Sequence, residues 1–251
     1  MNCLLLPASA IEGSRAHMSD SAQISHIRQV LKANIGDTLK IGMLGGKLGT
    51  GVIETMSERA VQLSDVMLTH APPPKLDVTV VLALPRPKVL RRLIMDMSAL
   101  GVRDIVLVNS YRTEKSYWQS PQLARIDEFV LEGLQQGVDT ILPRIQMHKR
   151  FKPFVEDVLP TLLKRQGIVA HPKTEASFAS FMQEAAGSAQ ALPDVLCIGA
   201  EGGWIDYEID LFAAHQCQAL HLGARILRTE AAVNALLGQW LLHPQASEKC
   251  F

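Results

Sequence analysis

Cysteine is scarce in this chain, with four residues in 251. Cys3, Cys197, Cys217 and Cys250 are scattered and form no C-x-x-C pair. That excludes a disulfide framework and a cysteine zinc site, and predicts a reduced compartment. Aromatic residues make up only 5% of the chain, and the formal net charge is zero. A domain that binds nucleic acid through bulk charge is strongly basic, so any such contact here has to come from local patches. No apolar run approaches the roughly 18 residues of a membrane helix. The start, Met1-Asn2-Cys3-Leu4-Leu5-Leu6-Pro7, has no basic n-region and too short an apolar stretch for a signal peptide. The expectation is a cytoplasmic protein with no membrane segment and no metal.

Apolar residues are 47% of the chain and charged ones 20%, enough for a sizeable core. The length allows a small domain plus a medium one. Residues 1–70 read as a small β-rich unit. Ser25–Lys32 has helical spacing, and strands are expected near 38–44, 48–55 and 60–67. The stretch Gly42–Leu48 resembles a phosphate loop but fails in detail. Ile41 stands at the first glycine position, and Leu48 follows Lys47 where Ser or Thr is needed, so a hairpin tip is predicted. Ala71-Pro72-Pro73-Pro74-Lys75 is a stiff linker, since three prolines forbid both helix and central strand.

From residue 76 to 251 the pattern becomes alternating strand and helix. The runs Val78–Leu84, Ile105–Val108, Ile168–Ala170, Val195–Ile198 and Ala219–Leu222 are nearly continuous in apolar residues, as in parallel strands buried on both faces. Helices are expected at 87–100, 122–136, 152–165, 175–186, 206–215 and 229–242. The fold class is α/β. The first of these strands leads into Pro85-Arg86-Pro87-Lys88, not G-x-G-x-x-G, which argues against a dinucleotide site.

Three strand ends carry candidate loops. Gly199-Ala200-Glu201-Gly202-Gly203 is a glycine turn with a carboxylate inside it. It reads either as a tight strand-to-helix connection or as a place where backbone approaches a ligand. His171-Pro172 ends another strand, and His171 is a structural histidine or a ligand-facing one. Leu222-Gly223-Ala224-Arg225-Ile226-Leu227-Arg228-Thr229-Glu230 is the third. N-capping by Thr229 explains Thr229 and Glu230. It leaves Arg225 and Arg228 at the positive end of a helix, a placement that calls for an anionic partner. If that partner is Glu201 or Glu230, Arg228 is structural; if it is charge developing on a substrate, Arg228 is catalytic. Two basic clusters, Arg86/Lys88/Arg91/Arg92 and Arg144/His148/Lys149/Arg150/Lys152, are solvated faces or contacts for a polyanion.

Taken together, these strings resemble the RsmE family of 16S ribosomal RNA uridine-N3 methyltransferases, of the SPOUT superfamily. Gly199–Gly203 is similar to the family's G-P-E-G-G, and Leu222–Glu230 to its L-G-x-R-I/V-L-R-T-E. His171-Pro172 matches its L-H-P. His26–Lys32 is similar to its H-I-x-R-V-L-R, and Ala99-Leu100-Gly101-Val102 to its x-E-L-G-V. The resemblance spans nearly the whole chain. It implies a PUA-like RNA-binding β-barrel domain (1–70) before a SPOUT α/β domain (76–251) whose trefoil knot binds S-adenosyl-L-methionine (SAM). It implies a homodimer, with helix 229–242 as the expected contact, unless its apolar residues (Ala231, Val233, Leu236, Leu237, Trp240, Leu241) simply fill the monomer core.

The resemblance also implies roles. His171, Pro172, Gly199, Ala200, Glu201, Gly202, Gly203, Leu222, Gly223, Ile226 and Leu227 would bind SAM. Arg228, Glu230 and Arg225 would carry catalysis, and Arg28, Lys32, Arg86, Arg91 and Arg92 would hold ribosomal RNA, free or within the small subunit. Two departures stand out. Ala200 replaces a proline, and the family's E-Q-x-x-R falls on Gln135-Gln136-Gly137-Val138-Asp139, where an anion replaces an arginine expected near RNA. The second leaves the target nucleotide open. It also keeps two other readings open: a SPOUT ribose 2'-O methyltransferase, and an RNA-binding ribosome assembly factor without catalysis.

Overall fold

A computed structural model describes residues 2–187 and 192–242. The described residues divide into two compact units, one formed by 2–74 with Val130–Leu142, the other by Lys75–Phe129 and the described residues between Pro143 and Leu242. Cys250 and the end of the expected 76–251 domain lie outside the described residues.

The first unit holds β1 (Leu4–Leu6), β2 (Ile11–Glu12), β3 (Arg15–Met18), α1 (Ser21–Ser25, continuing as a π turn over His26–Leu31), β4 (Thr38–Met43), β5 (Leu48–Met56) and β6 (Val61–His70). They form one sheet in the order β1-β4-β5-β6-β3-β2. Only β1 and β4 pair in parallel. Alternating residues of β3 and β6 point inward, where Met18, Val61 and Leu63 meet Ile24 and Ile27 from the helical segment. Gly42–Leu48 is the turn between β4 and β5.

Residues 130–142, expected in the α/β domain, group with this first unit. Hydrogen bonds explain why. The N–H groups of Asn2 and Cys3 donate to the Gln135 carbonyl at 3.0 and 3.1 Å, and that of Gly45 donates to the Thr140 carbonyl at 2.8 Å. The Thr140 hydroxyl donates to the Gly46 carbonyl at 2.5 Å. This corrects the reading of Gln135 and Asp139 as a damaged RNA contact. Asp139 is 2% exposed, and its carboxylate accepts the Ile141 N–H at 2.9 Å. It serves its own turn, on no surface that a phosphate reaches.

The second unit runs β7 (Leu76–Ala83), α2 (Pro87–Ala99), β8 (Val102–Val108), the first residues of α3 (Ile126–Gly137, which belongs to the first unit from Val130 on), β9 (Arg144–His148), α4 (Phe151–Pro153), α5 (Leu159–Leu162), β10 (Gly167–Ala170), α6 (Phe178–Gly187), β11 (Val195–Ile198), α7 (Asp206–Ala214), β12 (Cys217–Leu220) and α8 (Thr229–Leu242). All six strands are parallel, in the order β12-β10-β11-β7-β8-β9. The central strands β7, β8 and β11 are buried almost throughout, which their unbroken apolar runs require. Helix α8 returns from the edge strand β12 to pack on α2, β7 and β11.

Two expectations shift. The helix predicted over 152–165 breaks into α4, a π turn over Phe154–Val158 and α5. Pro160 has no N–H to offer the preceding turn, so the α ladder is interrupted there and resumes as α5. The strand expected at Ala219–Leu222 ends at Leu220, which frees Leu222 for the loop beyond it.

The amino ends of β7 and β8 share a charge network. Arg165 donates to Asp77 at 3.0 Å, Arg103 bridges Asp77 and Asp104, and Arg144 donates to Asp104 at 2.5 and 3.0 Å. Two of the five residues of the second predicted basic cluster, Arg144 and Lys152, are therefore paired with carboxylates, since Lys152 also meets Glu156 at 3.6 Å. Burial pushes the Asp104 carboxyl up, but hydrogen bonds from Arg144 and Arg103 outweigh it and hold the group below the usual carboxylate range. A lowered native pKa contributes stability above the unfolded value of about 3.9, and that stability is lost as pH falls through the native value. Asp104→Ala is expected to cost roughly 1.5–3 kcal/mol at neutral pH, as for hydrogen bonds between charged groups. In urea titrations this gap closes below about pH 4; a gap constant down to pH 2 would show that the network contributes nothing electrostatic.

Candidate active site

The register of the sheet builds the site. Ala170 pairs with both Ile198 and Leu220, so β10, β11 and β12 end at one level. Their following loops surround a cleft of about 690 Å³. Every expected catalytic residue lines it (Arg225, Arg228, Glu230), as do all expected cofactor residues except Gly223. Gly223 stands in the same loop, at a φ of +107° that a side chain rarely adopts. Val89, Ala170, Ile198, Leu220, Thr229 and Ala232 line the cleft as well.

The glycine turn is tight on its own account. A Cβ on Gly199 would stand 2.9 Å from the Gly203 Cα, and Gly203 has a φ of +67°. Trp204 pins the end of the turn in the core, its ring 5.1 Å from Phe212 and 5.8 Å from Phe151. Gly202 has a different reason to be small. An added Cβ would lie 3.0 Å from Arg112 side-chain carbons, and the Arg112 guanidinium donates to the Gly202 carbonyl. Glu201 turns back to the start of α2, where its carboxylate accepts the Arg86 N–H at 3.1 Å and faces the Arg86 Nε at 3.6 Å. An anion at that helix end is favourable, because the first N–H groups have no intrahelical partner.

The β12–α8 loop is open. Residues 223–228 are exposed, and Ile226 stands 85% exposed over the cleft. His221 Nδ1 accepts the Gly223 N–H at 3.0 Å and fixes the start of the loop. Thr229 does not cap α8 as the sequence suggests. It is the first helical residue and buried, and its hydroxyl donates to the Gly199 carbonyl at 3.4 Å, tying two of the three loops together. The carbonyl of Arg228 accepts the first helical N–H, from Ala232 at 2.9 Å. Among the described residues Arg225 and Arg228 meet no carboxylate within 4.0 Å, and neither Glu201 nor Glu230 pairs with Arg228. In the same sense, the N–H groups of Glu201, Gly202, Ile226 and Leu227 have no protein acceptor. The cleft thus presents backbone donors, apolar side chains and unpaired guanidiniums together.

His171 lies on the cleft wall. Burial lowers its pKa; Asp206 opposes that, while Lys173 and Arg112 add to it, so the ring is neutral at neutral pH.

The expected RNA contacts are shared between the two units. Arg86 and Arg92 border the cleft. Arg91 lies 5.8 Å over the Phe129 ring, while Arg28 and Lys32 belong to the first unit, Arg28 facing Glu58 at 3.8 Å. Sequence reasoning missed Arg112 and Glu208. Glu208 is buried, and its carboxylate accepts the Ile205 N–H at 3.0 Å, the Tyr111 N–H at 2.9 Å and the Ser110 hydroxyl at 3.3 Å. A glutamate at the third helical position is a capping signal that could have found it.

Comparison with known proteins agrees with this geometry. Residues 72–241 match the family described as RNA methyltransferase domain. The ribosomal RNA small subunit methyltransferase E of Treponema pallidum is 30% identical over 240 residues, covering 94% of this chain and 88% of that protein. The protein of the same name from Synechocystis is 28% identical, covering 87% of this chain and 70% of its own length. Among solved structures, a putative methyltransferase from Legionella pneumophila in complex with SAM superposes with a TM-score of 0.74 at 20% identity, over 96% of this chain and 97% of that one. Ribosomal RNA small subunit methyltransferase E from Neisseria gonorrhoeae, bound to S-adenosyl methionine, gives 0.73 at 19% identity over the same shares. These two structures share the fold of this chain over nearly its whole length. With the sequence matches, they place this chain in the ribosomal RNA small subunit methyltransferase E family, among the RNA methyltransferase domains.

Proposed function

We propose that the protein methylates N3 of a uridine in small-subunit ribosomal RNA, using SAM held in the cleft at the ends of β10, β11 and β12. One observation carries this reading: the loops matching the family strings converge on one cleft, of a size suited to a nucleoside-sized ligand. The unpaired N–H groups of Glu201, Gly202, Ile226 and Leu227 suit the polar edges of such a ligand, and Ile226 and Leu227 suit its ring faces. SAM supplies an electrophilic methyl, so the protein has to orient the base and manage one proton. Arg228, with no carboxylate partner, faces the negative charge that spreads over the uracil oxygens as the N3 proton leaves. Arg225 adds to the same field. Glu201 is occupied by Arg86, which leaves Glu230 as the cleft carboxylate placed to take that proton.

RNA is held, on this reading, by Arg28, Lys32, Arg86, Arg91 and Arg92. The protein acts in the cytoplasm on ribosomal RNA, free or in the assembling subunit, as a homodimer. Val233, Leu236, Leu237 and Trp240, four of the residues expected at the contact, are instead buried in the chain's own core. Ala231, Leu241 and Leu242 remain exposed on α8 for a partner.

Gly199→Ala is expected to open the turn. Backbone strain on the order of 1–3 kcal/mol reads as a roughly 5- to 150-fold loss of SAM affinity by calorimetry. Unchanged affinity in a folded variant would put the cofactor elsewhere. Arg228→Lys is expected to slow single-turnover methyl transfer roughly 100- to 1,000-fold, with melting temperature and SAM affinity kept; near-normal rates would end the catalytic role. Neutralising the five basic residues together should flatten log RNA affinity against log salt, each phosphate contact accounting for about 0.7–0.9 of the slope. Arg86, already held by Glu201, should contribute least, and an unchanged slope would return all five to plain solvated surface.

A further inference from the structure

The chain has only three tyrosines, Tyr111, Tyr117 and Tyr207. The fold brings their segments close to the glycine turn that lines the cleft. Tyr111 follows β8 and Tyr207 is the second residue of α7, and the buried Glu208 carboxylate joins the two segments: it accepts the Tyr111 N–H at 2.9 Å and the Ile205 N–H at 3.0 Å just before the helix. Between them Arg112 reaches the Gly202 carbonyl of the glycine turn. Tyr117 completes the group. Partial burial and the Glu114 carboxylate push its hydroxyl up, and it also lies in the fields of Glu201 and Arg86, beside the same turn.

The anchored parts are backbone; the rings are left outside. Tyr111 is 79% exposed and Tyr207 51%. Among the described residues neither ring stacks on another ring or under a cation. Rings that contribute so little to the core are not held there by folding. In a chain so poor in aromatics, their grouping beside one opening needs a partner with flat faces. Arg112 is exposed among them, and its guanidinium plane offers a further stacking surface and a positive charge. Flat, apolar-faced and negatively charged together describe a nucleic acid strand with unstacked bases.

We propose that Tyr111 and Tyr207, with Arg112 between them, form a stacking platform that receives unpaired bases of the RNA next to the nucleotide entering the cleft. The platform therefore selects single-stranded or looped RNA over duplex. It rests on the reading of the cleft as an RNA methyltransferase site and adds the structural class of the substrate. Glu208 is the positioning residue, since it fixes both supporting segments without touching the RNA.

The test uses the full chain, SAM, and a short mixed-sequence RNA containing an unpaired uridine tract, alone or annealed to its complement. Tyr111→Ala and Tyr207→Ala are each expected to weaken binding of the single strand about 5- to 150-fold, the range for loss of one stacked base. Tyr111→Phe and Tyr207→Phe keep the ring and should stay within about twofold of the unsubstituted protein. SAM affinity, melting temperature and the weaker duplex binding should not change in any of the four. Equal single-strand affinity in the Ala variants overturns the platform. So does equal loss in the Phe variants, which would mean a hydroxyl contact, or a change in sedimenting mass without a change in RNA affinity, which would mean a second copy covers the rings. If the unsubstituted protein binds SAM but neither this RNA nor small ribosomal subunits, the RNA reading itself fails and the platform falls with it; binding to subunits but not to the free strand overturns the platform alone.

Discussion

The site depends on one geometrical constraint, the register of three parallel strands. Because Ala170, Ile198 and Leu220 pair across β10, β11 and β12, the loops that leave them start from one plane. Parallel pairing holds that plane because the strands are buried on both faces; a slip of one residue would turn core side chains such as Cys197 and Val169 to the opposite face. The remaining contacts refine what register has set. Thr229 ties the last loop to the glycine turn, Glu201 ties the turn to α2, and Glu208 ties it to the loop after β8.

The chain does not use its charge as its composition suggests. Zero net charge hides a division of labour. At the amino ends of the strands, Arg103, Arg144 and Arg165 are consumed by Asp77 and Asp104. At the carboxyl ends Arg225 and Arg228 meet no carboxylate among the described residues. Arginines paired at one edge serve stability, and those open at the other keep their field for a ligand.

Much of this was legible in the sequence, for identifiable reasons. Continuous apolar runs marked the buried parallel strands. The strings around Gly199 and Arg228 marked the loops, because close backbone approach leaves few residue choices. What escaped was set by long-range pairing. β9 reads as polar loop because it is an exposed edge strand, stabilised by Arg144 reaching Asp104. Gln135 and Asp139 were assigned to a surface because nothing local reveals that Asn2 and Cys3 close over that helix end. Thr229 sits where a cap would, and only the neighbouring Gly199 carbonyl diverts it. Glu208 is one acid among several between Asp206 and Asp210, and only the tertiary structure singles it out.

The return of α8 across the sheet bears on how the protein is made. Thr229, Glu230 and Ala232 on that helix form a wall of the cleft whose floor comes from strands laid down much earlier in the chain. During synthesis the sheet centre therefore waits for a late segment: β7 finds β11 only after the intervening helices exist, and the cleft closes only after α8 has crossed over them. Such non-local assembly is slow relative to local helix formation. A nascent chain emerging from the ribosome carries the glycine turn, but no working pocket, until this crossing is complete.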